Sequence, residues 1–145
     1  MSLHVPALDR SVQETESWLK AIAAAMGTDD RQVAYHALRG TLFTLRDRLE
    51  PGEADDMAAQ LPMLVRGIFY EGYHHTGKPE RYRSRDEFLR RVSCDFARIN
   101  YDDPETAARA VFTVLRERIS LGETDKVRHM LPDSVRDLWP EEVVH

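Results

Sequence analysis

Apolar residues recur along this chain at spacings of three and four, the period of a helix that buries one face. Trp18, Leu19, Ile22 and Met26 form one such stripe. A longer one runs through Ala34, Ala37, Leu38, Thr41, Leu42, Leu45 and Leu49, and another through Ala107, Ala108, Val111, Phe112, Leu115 and Ile119. Polar punctuation fits between the stripes. Ser11-x-x-Glu14 and Ser84-x-x-Glu87 read as capping boxes that open helices, as does Asp29-x-x-Gln32, and Asp103 precedes Pro104 at a first helical position. Gly27 is placed to end the first helix. Short helices are expected over Glu53–Gln60 and Glu123–Met130, each stopped by Leu-Pro, with Pro62 and Pro132 each starting a further one. No alternating run rich in Val, Ile and Thr points to a strand. The fold class is therefore all-α, with about eight helices and no sheet.

These elements repeat. Residues 12–75 lie on residues 82–145 with a constant offset of 70 and no gap, so that Leu45-Arg46-Asp47-Arg48-Leu49 falls on Leu115-Arg116-Glu117-Arg118-Ile119 and Leu61-Pro62 on Leu131-Pro132. We read a single all-helical domain, 1–145, built from two pseudo-repeated four-helix units, 12–75 and 82–145. A residue kept in both copies serves architecture, since one catalytic site would need its reactive groups once. The copies part most sharply over Tyr70–Arg85, and specificity is expected there.

Composition narrows the function classes. With 42% hydrophobic and 31% charged residues the chain belongs to the ordinary folded class rather than the disordered one, and its single cysteine, Cys94, permits no internal disulfide framework. No apolar stretch approaches the ~18 residues of a membrane span, and the N-terminus lacks a basic start followed by an apolar run, so a cytoplasmic location without membrane is expected. The net charge of −5 is uneven. Residues 1–72 carry 7 basic and 11 acidic side chains, residues 92–145 the same, and residues 73–91 carry 6 and 3. The joint between the copies is a basic island between acidic halves that repel a long polyanion.

Candidate chemistry is sparse. Glu71-x-x-His74 has the spacing of half a di-iron carboxylate site, but the duplicated position pairs Glu141 with Val144, and Gly72 ends the helix before His74. A metal-dependent or small-ligand enzyme around Glu71 and His74 is the minority reading, and no cofactor or metal is expected. Arg46 and Arg116, Arg48 and Arg118, and Glu53 and Glu123 recur at matched positions beside the apolar stripes, which points to structural ion pairs. Tyr73, His74, His75, Arg81 and Arg83 in the joint are the candidate binding residues, being aromatic and basic side chains where two packed units meet. An anion or nucleic-acid site over residues 74–91 is the other alternative.

The runs Ala37-Leu38-Arg39, Leu45-Arg46-Asp47-Arg48-Leu49, Ala59-Gln60-Leu61-Pro62-Met63-Leu64-Val65-Arg66-Gly67, Tyr70-Glu71-Gly72, Arg109-Ala110-Val111-Phe112, Gly122-Glu123 and Leu138-Trp139-Pro140 together resemble the bacterial domain-of-unknown-function family 2267 over nearly the whole chain. The resemblance implies a soluble helical protein and brings no activity, ligand or catalytic residue with it. The function expected from the residues is a non-catalytic helical interaction or scaffold module, its partner another protein or a second copy of itself.

Overall fold

The computed structural model describes residues 5–141, and among them it contains eight α-helices and no strand. These are α1 (Pro6–Met26), α2 (Arg31–Arg48), α3 (Pro51–Ala59), α4 (Met63–Tyr70), α5 (Arg85–Ser93), α6 (Pro104–Arg118), α7 (Leu121–His129) and α8 (Asp133–Arg136), with a 3-10 turn at Cys94–Phe96. Boundaries recur at the spacing of the sequence repeat. α3 and α7 begin and end 70 residues apart, α4 and α8 begin 70 apart, and α2 and α6 end 70 apart, at Arg48 and Arg118.

Helix ends follow local chemistry with two shifts. Asp103 caps α6 by accepting from Thr106 N (3.1 Å), which together with the bond from the Thr106 hydroxyl holds its carboxyl below the usual range. Ser84 caps α5 by accepting from Glu87 N (3.1 Å). For α2 the cap is Asp30, one residue beyond the expected Asp29, because its Oδ1 reaches both Gln32 N and Val33 N. The Ser11 box opens nothing. Pro6 pre-sets the helical φ at the first position of α1 and no breaker follows, so the helix is already formed where Ser11 occurs. Its hydroxyl bonds back to Ala7 O (2.9 Å) instead. Gly27 ends α1 with φ +76°, a conformation that L side chains resist.

α2 and α6 pack on each other at the centre, with α1 and α5 both lying against the pair. α4 braces α1 and α2, α8 braces α5, and α3 meets α7. Leu38, Leu42, Leu45, Phe88, Phe112 and Leu115 are fully buried between these layers, each contributing about 1.5–3 kcal/mol of burial free energy. Phe112 stacks on Trp139, ring centroids 4.2 Å apart. The stripes of the sequence thus face one continuous core, and the joint, residues 71–84, crosses its surface with Tyr82 turned into it.

Candidate functional site

The joint starts where α4 stops. Tyr70 is its last helical residue, Gly72 turns the chain with φ +69°, and Glu71 and His74 consequently share no helix. The Glu71 carboxylate instead faces Arg39, 3.4 Å away, and His74 is exposed. Among the described residues no group of three or more His, Cys, Asp or Glu is arranged to hold a metal ion.

Arg46 ties this turn to α2. Its Nη1 donates to Phe69 O (2.7 Å) and Glu71 O (2.6 Å), the open carbonyl end of α4, while Nε pairs with Asp47 at 3.1 Å. The guanidinium lies 4.2 Å from the Phe43 ring centroid and 5.4 Å from that of Tyr73, so Tyr73 is half-buried as part of the Arg46 enclosure. Tyr70 donates to Asp55 (2.6 Å), and burial together with that bond pushes its hydroxyl up to about 12. Burial, then the Asp55 and Asp47 carboxylates, also raises Tyr73. Of the expected binding residues, Tyr73 is half-buried against Arg46, and His75 stands beside it with ring centroids 5.2 Å apart.

Beyond the turn the basic island sorts into paired and unpaired members. Lys78 lies between Asp47 (3.7 Å) and Glu80 (3.3 Å), Arg91 pairs with Glu80, and Arg85 reaches Glu105 (3.5 Å) and Ser134 O (3.0 Å). Tyr82 is buried, its hydroxyl donating to Thr44 O (3.0 Å) and its carbonyl accepting from Arg48 Nε (3.2 Å). Tyr82 turns inward while its neighbours Arg81 and Arg83 stay at the surface. Both are exposed and have no hydrogen bond or ion pair among the described residues.

The other matched side chains lie elsewhere. Arg116 donates to Pro140 O (3.0 Å) and Glu141 O, and Arg118 to Ser17 Oγ (2.8 Å). Glu53 and Glu123 meet where α3 packs on α7. Burial raises the Glu123 carboxyl, the Glu53 and Asp56 charges add to the shift, and Lys126 opposes it. One oxygen of each glutamate is buried without a hydrogen-bond partner.

One cluster escaped the sequence reading. His36 Nδ1 lies 2.8 Å from Asp95 Oδ2 and Arg39 Nη1 3.3 Å from Oδ1, beside the exposed Cys94 in a concavity of about 310 Å³. The approach is possible because residue 40 is glycine. A Cβ there would fall 2.8 Å from Val92 O and 3.0 Å from Asp95 Cβ. An acid on one imidazole nitrogen orients the other for proton transfer or ligation, yet here both acid oxygens are engaged by α2. The arrangement staples the 3-10 turn to the central helix. Its only sequence signals are a glycine inside a strong helical stripe and the His36-x-x-Arg39 spacing.

No helix among the described residues is long and apolar enough to cross a membrane. A search of curated proteins found no match. The profile of a family described as "Uncharacterized conserved protein (DUF2267)" matches residues 15–138, which takes in both long central helices, the joint and the carbonyl-capping arginines. The chain therefore belongs to the DUF2267 family.

Proposed function

We propose that this protein is a non-catalytic helical interaction module of the cytoplasm, made of two related four-helix units, that docks an acidic segment of a partner protein on the joint. The observation that carries this reading is the unpaired state of Arg81 and Arg83 in a segment pinned by the buried Tyr82, while Lys78, Arg85 and Arg91 of the same island are paired. Two guanidinium groups without partners, flanking the buried Tyr82, suit the recognition of carboxylates. The acidic halves on either side disfavour a long polyanion, so a short acidic peptide fits better than nucleic acid.

The test titrates the full chain with a blocked hexaglutamate peptide and, separately, with a single-stranded oligonucleotide. The variants are Arg81→Ala/Arg83→Ala and a control, Asp56→Ala. We expect the arginine variant to keep the wild-type melting temperature and bind the peptide roughly tenfold more weakly, a loss of ~1.4 kcal/mol, with the control unchanged. Equal binding by wild type and arginine variant would dismiss the joint as the docking surface. Tighter binding of the oligonucleotide than of the peptide would replace the acidic-peptide reading.

A further inference from the structure

The contact that staples the 3-10 turn to α2 leaves one of its groups uncommitted, and what that group can do is independent of docking at the joint. His36 belongs to α2 and Asp95 to the turn, and the carboxylate accepts from the imidazole at Nδ1, 2.8 Å away. An ionised acid can only accept, so the proton of the neutral ring stays on Nδ1 and its lone pair is on Nε2. Nε2 has no hydrogen-bond partner among the described residues, and it is not enclosed. The side chain keeps 20% of its surface exposed and lines the concavity of about 310 Å³ that Arg39, Cys94 and Arg98 also border.

The ring is held in place. Asp95 is itself clamped, since Arg39, one turn beyond His36, donates to its other oxygen at 3.3 Å, and the Tyr35 ring meets the imidazole edge-on with centroids 5.3 Å apart. An acid fixed on Nδ1 stabilises the positive charge that the ring acquires when Nε2 attacks an electrophile. Two cations border the same concavity. Arg39 is shared between Asp95 and Glu71, 3.4 Å away, whereas Arg98 is exposed and has no partner among the described residues. Arginines beside a nucleophilic nitrogen suit a group that carries several anionic oxygens. The Cys94 thiol, the other nucleophile on the rim, donates to Arg90 O (3.4 Å).

We propose that His36 is a phosphoryl acceptor, taking the group on Nε2 from an acyl phosphate such as a phosphorylated carboxylate side chain of a partner protein. The Nε2 lone pair forms the N–P bond, the P–O bond to the acyl oxygen breaks, and the carboxylate leaves with that electron pair. The Nδ1 proton stays on the ring, held by Asp95, and Arg98 and Arg39 meet the phosphoryl oxygens. A carboxylate departs without being protonated, so the reaction needs no general acid opposite the imidazole.

The experiment incubates the full chain with acetyl phosphate. Phosphoryl groups are located by peptide fragmentation, and a phosphorus NMR signal lost in acid but kept in alkali marks an N–P linkage. Two other histidines serve as internal references: His74 is exposed, and His129, also exposed, has its Nδ1 2.6 Å from a backbone carbonyl, Asp125 O, rather than an acid. We expect His36 to react roughly tenfold faster than either despite its smaller exposure, because only its Nδ1 partner carries charge. Asp95→Asn should slow His36 by roughly tenfold and leave His74 and His129 unchanged. Equal rates at the three histidines of the wild type, a label carried by Cys94 instead, or an unchanged His36 rate in folded Asp95→Asn would overturn the proposal. The wild-type comparison needs no variant and decides the matter even where Asp95→Asn does not fold.

Discussion

Arg46 and Arg116 stand 70 positions apart and carry out one task at two depths. Each guanidinium crosses from a central helix to backbone carbonyls, Phe69 and Glu71 at the end of α4 in one case and Pro140 and Glu141, beyond the end of α8, in the other. Arg66 and Arg136 repeat the lesson one layer out. Arg66 Nε donates to Ala58 O at 3.0 Å, and Arg136 Nε to Arg128 O at 3.1 Å; both arginines also bond the carbonyl of the leucine before the Leu-Pro proline, Leu61 or Leu131. What differs is the cover. Arg46 is enclosed by Phe43 and Tyr73 because α4 runs on into the joint, whereas position 113, 70 residues after Phe43, is a threonine that bonds its own helix. A glycine at 40 and an alanine at 110 mark a second difference, since only the first must admit the turn bearing Asp95. Shared positions close helices, and the divergent ones decide what covers them.

The sharpest way to break the comparison is through its two core anchors. Leu45→Ala and Leu115→Ala should each cost ~2–5 kcal/mol in denaturant unfolding, since both side chains are fully buried in the central helices. A loss below about 1 kcal/mol at one of them would show that α2 and α6 do not share the core equally.

Next in size is the arginine pair. Arg46→Ala strands two carbonyls beneath aromatic cover and should cost about 3 kcal/mol, against about 1 kcal/mol for the more exposed Arg116→Ala. Equal losses would mean that Tyr73 and Phe43 add nothing to the first site. Replacing Tyr73 itself should lower stability, unlike Arg81 or Arg83, because it forms part of that enclosure.

The smallest effect concerns the acids where α3 meets α7. Glu123 has a folded-state pKa above its ordinary value near 4.5, so between that value and the raised one the folded chain binds more protons than the unfolded chain. Stability contributed by the protonated form is present below the ordinary value and is lost as pH rises through the folded one. Glu123→Gln should therefore raise the melting temperature near pH 7 and change it little near pH 4. A uniform shift at both pH values would assign the effect to packing rather than to charge.

Legibility tracked the range of the interaction that each feature depends on. The Asp103 cap, the Gly27 stop and the Leu-Pro breaks depend on residues within one turn, and each is readable in a few letters. Ser11 failed for the complementary reason: its local signal was sound, but Pro6 had already started the helix upstream. The His36–Asp95 contact joins residues 59 positions apart, and the glycine and His36-x-x-Arg39 spacing on α2 do not point to Asp95. The roles of Tyr73 and of Arg81 and Arg83 differ although they share one stretch of sequence, because exposure depends on what α2 brings to each.

By itself, then, the sequence determined the helical class, the stripes that form the core and most helix ends. Those follow from backbone hydrogen bonding and from apolar period, which act within a few residues. The tertiary structure alone decided which charges are paired, that Tyr82 is buried beside Arg48, and that a glycine in α2 admits Asp95 to His36. Pairing and cover depend on which distant surfaces pack together, and packing is a property of the whole chain.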